Sequence, residues 1–143
     1  MDKTNSLDID RFLDGQRFGY ECALAEMRNG QKVNHWIWYV FPQLKGLGHS
    51  PNSEYYGIDG IREANEYLSH PVLGFRIREI SAALLEHAGK EIKTIMPGID
   101  ALKLKSSMTL FDQICPNDIF AQVLNTFYGG ERDQLTLSML REH

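Results

Sequence analysis

Apolar residues recur at three- and four-residue spacing along most of the chain, the repeat that turns one face of an α-helix toward a core. Between Leu7 and Arg28 the face is Ile9, Leu13, Gln16, Tyr20, Ala23 and Met27, with Phe12 and Leu24 beside it. Asp8 suits the N-cap, because its short side chain accepts from a free first-turn N–H, and Gly30 suits the stop. Gly15 weakens the middle and leaves open one helix or two abutting ones. A helix is predicted over 59–68, with Ile61, Ala64, Asn65 and Leu68 on one side. His70-Pro71 breaks the chain, and Pro71 fits the first position of the next helix. That helix carries Leu73, Ile77, Ile80, Leu84 and Leu85 as its stripe and ends at Gly89. A short helix over 90–96 follows. From Ile99 to Ile114 the apolar positions mix periods, and helix is the better fit. Pro116-Asn117 is read as the cap of a helix through Phe127 that stops at Gly129-Gly130. Asp133 caps a last short helix holding Leu135, Leu137 and Leu140.

Two segments break the pattern. His35-Trp36-Ile37-Trp38-Tyr39-Val40-Phe41-Pro42 is rich in aromatic and β-branched residues, which favours a strand. No partner strand lies nearby, and a short helix buried on most sides fits equally, since period does not separate the two. Residues 43–52 hold Gly46, Gly48, Ser50, Pro51 and Asn52 and read as a loop. With no repeat, linker or low-complexity stretch, the expectation is an all-α fold. It is one compact domain over 1–143, with six to seven helices, short connections and a flexible or disordered start at 1–6.

Composition narrows the function classes. The chain has 143 residues, 43% hydrophobic and 24% charged, as expected of a globular domain. Fifteen Lys and Arg against 19 Asp and Glu give a net charge of −4. That argues against a protein devoted to coating nucleic acid or an anionic membrane, and leaves room for a small basic pocket. The longest apolar run, Trp36 to Phe41, is far short of the ~20 residues that span a bilayer. The polar start Met1 to Ser6 lacks a leader's apolar run. Cys22 and Cys115 stand far apart, so the chain reads as reduced and cytoplasmic, each thiol a small buried hydrophobe. No CxxC or HExxH points to a metal, and no P-loop, GxGxxG or GxSxG to a nucleotide loop or a serine nucleophile. Neither a Ser/His/Asp order nor a carboxylate pair singles out a catalytic residue, and no cofactor is implied.

Three polar-aromatic clusters carry the candidate chemistry. In the first, Trp36 and Trp38 offer flat surfaces for a planar ligand, or anchors for a core, with His35 and Gln43 alongside. His35 titrates near neutrality when unperturbed, which suits a general acid or base, though a histidine at an element's start is more often a cap. The second runs from Gly46 to Tyr56, where Ser53-Glu54 suits either a functional loop or helix capping. The third holds Lys103, Ser106, Ser107 and Thr109. On a helix Lys103, Ser106 and Thr109 share a face, giving either donors for a phosphate or carboxylate, or an exposed polar face. His70 is a further candidate and reads more simply as part of a helix start, as Arg76 reads as a surface charge.

These clusters fall inside long motifs. Asp10-Arg11-Phe12, His35-Trp36-x-Trp38-x-x-Phe41-Pro42-Gln43-Leu44-x-Gly46-Leu47-Gly48, Tyr56-x-Ile58, Glu63-Ala64-x-x-Tyr67-Leu68-x-His70-Pro71-Val72-Leu73-Gly74 and Leu102 to Phe111 together resemble the DUF1810 family. The resemblance continues through Phe127-x-Gly129-Gly130 and Asp133-x-x-Thr136, nearly the whole chain. It implies a mainly α-helical fold and tips the aromatic segment toward helix or irregular structure. The family's function is uncharacterised, so it lends no catalytic residue. Some members carry the label calpastatin, but calpastatin is disordered and repeat-built, unlike the compact core implied here. Two readings follow. In one, a polar-aromatic pocket binds a small phosphorylated or nucleotide-like ligand. In the other, the chain is a non-enzymatic interaction module or homo-oligomer.

Overall fold

Nine helices form among residues 8–142, the part of the chain that the computed structural model describes. The start expected to be flexible, 1–6, lies outside the described residues. The helices are α1 (Asp10–Asn29), α2 (Ile37–Val40), α3 (Pro51–Tyr56), α4 (Gly60–Ser69), α5 (Leu73–Leu85), α6 (Ile92–Ile95), α7 (Asp100–Ile114), α8 (Ile119–Tyr128) and α9 (Gln134–Arg141). Six of them run to eight residues or more, and α2, α3 and α6 are one-turn pieces of four to six. The fold is all-α, but the expected six to seven helices become nine. The aromatic segment closes into α2, and α3 begins inside the expected loop. Ser50 starts α3 by accepting from the Ser53 N–H at 3.1 Å, with Pro51 in its first turn. Six residues are too few to show a period.

α1 is one unbroken helix across Gly15. The Tyr39 ring lies against α1 at Gly15 and Gly19, and a Cβ on Gly19 would sit 2.2 Å from Tyr39 Oη. The glycines therefore admit a ring where a break was open. The next cap also differs: Asp118, not Asn117, accepts from the first N–H of α8 at 2.6 Å, while Asn117 takes a φ of 62°.

One continuous cluster of buried side chains joins the helices into a single domain. α7 runs through its middle and packs on α2, α4, α8 and α9. Nine of its residues are buried, on every side, which is why its apolar positions mixed periods. An aromatic chain crosses the core through Phe12, Tyr67, Phe111 and Phe120, with centroids 5.0, 5.3 and 5.7 Å apart. No strand forms among the described residues. A single parallel bridge joins Leu44 to Ile58, with Ile58 N–H donating to Gln43 O at 2.9 Å and Lys45 N–H to Ile58 O at 2.8 Å. It sets Gln43 beside Tyr56 and Gly57.

Candidate functional site

Residues two apart on a helical turn point to nearly opposite sides. α2 uses this to separate the two tryptophans. Trp36 enters the core, 1% exposed, and its indole N–H donates to Glu26 Oε1 at 2.8 Å. The Lys32 ammonium lies 5.0 Å from its ring centroid and pairs with Asp100 at 2.8 Å. Glu26 also accepts from the backbone N–H of Val33 at 2.7 Å and of Asn34 at 3.0 Å. Burial pushes the Glu26 carboxyl up, but these bonds outweigh it and hold it at about 2. Trp36 is thus an anchor for the segment that leads into α2.

Trp38 faces the other way, half-buried, and its indole N–H is buried with no acceptor among the described residues. It lines a slot with Gln43, Ser53, Tyr56, Gly57 and Lys103. The slot measures about 10 Å³, room for a single water. A Cβ on Gly57 would lie 2.7 Å from the Lys45 Cα and 2.9 Å from the Ser53 carbonyl oxygen, so only glycine lets the slot's wall close this far. Burial, with Tyr55 beside it, pushes the Tyr56 phenol above its ordinary value, so it stays protonated as a donor.

Gln43 and Lys103 are shared between the slot and a neighbouring groove of about 240 Å³. Ser106 and Asp133 form one part of its wall, and the aliphatic side chains of Ile99, Leu102 and Leu135 another. Lys103 stands at the junction. Its ammonium lies 5.3 Å from the Trp38 ring centroid and makes no ion pair among the described residues. Its neighbours do: Lys105 pairs with Glu131, and Arg132 with Asp112 at 3.1 Å. The cation–π contact keeps the charge near the ring without neutralising it.

Of the ten residues singled out from sequence, the structure brings Trp38, Gln43, Tyr56 and Lys103 together, with Ser106 on the groove wall. The others sit elsewhere. His35 is exposed at the approach to α2. His70 starts α5, its Nδ1 accepting from the N–H of Val72 at 3.1 Å and of Leu73 at 3.3 Å. Ser107 is fully buried, with its hydroxyl unpartnered among the described residues. Ser106 and Thr109, three residues apart on α7, both meet Asp133 and dock α9. The Ser106 hydroxyl lies 3.2 Å from Asp133 Oδ2, and Thr109 Oγ1 accepts from the Asp133 N–H at 2.9 Å. Asp133 in turn caps α9 through the Thr136 N–H at 3.0 Å.

The groove residues Ile99, Asp133 and Leu135 escaped sequence reasoning as site residues, because nothing local links them to Trp38 across 61, 95 and 97 positions. The thiols also differ from expectation. Cys22 and Cys115 are half-buried, and each donates to a carboxylate, Glu26 and Asp118, at 3.3 Å. Those bonds, with burial, push both thiols up, away from the reactive thiolate. No group of three or more His, Cys, Asp or Glu able to hold a metal ion occurs among the described residues. No helix there is long and apolar enough to cross a membrane.

Comparison with known proteins agrees with this architecture. No curated protein matches the chain. The crystal structure of the conserved hypothetical protein Rv1873 from Mycobacterium tuberculosis is 41% identical and superposes with a TM-score of 0.90, over 92% of this chain and 95% of that one. The family model described as a protein of unknown function, DUF1810, matches residues 6–140. With that span matched, the chain belongs to the DUF1810 family.

Proposed function

We propose that this chain is a small-molecule binding protein whose site is the slot and groove that meet at Lys103, and whose ligand is a small anion bearing a flat or apolar part. One observation carries the reading: an ammonium with no counter-ion among the described residues, held 5.3 Å from the Trp38 ring centroid where slot and groove join. An unpaired cation on a half-buried aromatic face favours an anion brought there by its own apolar surface. The Gln43 amide adds a neutral donor on the slot side. The hydroxyls of Ser106 and Thr109 serve α9, so the donor set for a phosphorylated or nucleotide-like ligand shrinks to Lys103 and Gln43. Two free cysteines support work in a reducing compartment, the cytoplasm.

The test is a thermal-shift screen of the whole chain against nucleotides, phosphorylated metabolites and carboxylates, with Lys103→Ala beside it. A ligand at 100 times its dissociation constant stabilises by about 2.7 kcal/mol. A shift in the wild type that disappears in Lys103→Ala is expected. No shift across the panel, or an equal shift in the variant, overturns the reading.

A second reading, an interaction module or homo-oligomer, is favoured by the exposure of Ile99, Leu102 and Leu135, at 67, 59 and 57%. Light scattering separates the two: a dimer broken by Leu102→Ser supports the second, and a monomer at all concentrations removes the homo-oligomer.

A further inference from the structure

The groove side of the site is built differently from its slot side, and the difference bears on the chemical class of the ligand. Building on the proposed binding role, we infer that the ligand is a small monocarboxylate on an aliphatic tail, its carboxylate at Lys103 and its tail along Ile99, Leu102 and Leu135.

Charge decides the head group. Among the described residues Lys103 is the one cation lining the slot or the groove, and the nearby cations Lys105 and Arg132 are already neutralised by Glu131 and Asp112. A phosphate monoester carries about −1.5 to −2 at neutral pH, more than one ammonium balances. The groove also presents Asp133, whose carboxylate repels a second negative group. The helix start that Asp133 caps is closed to an anion by that same carboxylate. Ser106 and Thr109 are committed to Asp133, so no cradle of hydroxyls remains. A single carboxylate matches a single ammonium.

Apolar surface decides the tail. Nine large hydrophobic residues are exposed among the described residues, and three of them, Ile99, Leu102 and Leu135, line this one groove of about 240 Å³. Ile99 immediately precedes α7, Leu102 lies in the first turn of α7 and Leu135 in the first turn of α9, so the groove is assembled by the fold rather than left over on one helix face. An aliphatic tail removes these side chains from water, while the ammonium at the groove's end sets which way the molecule lies.

The experiment is calorimetric titration of the whole chain with acetate, butyrate, hexanoate and octanoate, and with ADP. Affinity is expected to rise about fourfold per methylene from butyrate to octanoate. Octanoate should bind more tightly than ADP. Lys103→Met should weaken every carboxylate at least tenfold. Leu102→Ser and Leu135→Ser change exposed positions, so their melting should match wild type while the dependence on tail length flattens. Affinity independent of tail length, ADP tighter than octanoate, or octanoate binding unchanged in Lys103→Met each overturns the inference. If ADP binds through Lys103 and octanoate does not, the monocarboxylate fails and the binding site stands. If no probe binds, both fail.

Discussion

Arg11 and Glu63 meet fork to fork, Nη1 to Oε2 and Nη2 to Oε1 each at 2.8 Å, with only 3 and 8% of their side chains exposed. The remaining guanidinium N–H groups donate to carbonyl oxygens at 2.7 Å each: Nε to Tyr55, Nη1 to Asp8 and Nη2 to Gly57. All five donors are used. Two of those carbonyls lie at the end of α3, so this buried pair ties α1 and α4 to the wall of the slot. Arg11→Met is expected to cost about 3–5 kcal/mol in urea unfolding, because it strands a buried carboxylate. Arg11→Lys should recover little, since an ammonium cannot span the fork. Changing both residues to Met should cost less than Arg11→Met alone. A single-variant cost below about 1 kcal/mol would show that the pair contributes nothing.

The two tryptophans should separate stability from binding. Trp36→Ala is expected to cost about 3–5 kcal/mol, chiefly through lost core volume, with one hydrogen bond fewer on Glu26. Trp38→Ala should cost less than half as much and abolish any ligand-dependent change in fluorescence. Equal costs from the two variants would contradict the division of roles within α2.

Ser106→Ala and Thr109→Val should loosen α9 without touching the ligand. Faster hydrogen exchange at the Thr136 amide is expected, with a stability loss of about 0.5–1.5 kcal/mol each. Anion affinity should move less than twofold. A tenfold loss of affinity in either variant would return these hydroxyls to the binding site.

Glu26 should govern stability in acid. Its ordinary value is 4.5 and its folded value about 2, so it binds a proton more readily when unfolded. Its contribution is complete above about pH 4.5 and disappears as pH falls through about 2. Glu26→Gln is expected to be less stable than wild type by about 1–3 kcal/mol at neutral pH, by hydrogen bonds to a charged group. Urea unfolding should show this gap narrowing from pH 4.5 down toward 2. A gap that stays constant with pH would rule out the charged form as the source.

Much of this fold was legible because its long helices bury one face each, and a repeat of three and four records that directly. α7 blurred the repeat for a physical reason: its middle, Ser106 to Asp112, is buried on all sides, so no polar face contrasts there with an apolar one. The aromatic segment stayed ambiguous because one turn of helix is too short to repeat. Helical spacing placed Ser106 beside Lys103, and both line the groove, whereas Thr109 turns into the core. The partition of these hydroxyls was not legible. Whether Ser106 meets a ligand or Asp133 depends on a residue 27 positions away, and such a pairing leaves no local trace. Arg11 and Glu63 were visible only as parts of longer motifs, because 52 residues separate them and nothing near either marks it as buried.

The bridge between Leu44 and Ile58 has a kinetic consequence. Its two backbone bonds hold Gln43 against the end of α3 from within the chain, so the slot's wall is ordered by folding and not by capture. Association with such a preorganised surface spends no free energy on freezing a loop. Rapid mixing should therefore show one phase, its rate linear in ligand concentration, with no slower closing step and with residence time set by how fast the Lys103 contact breaks.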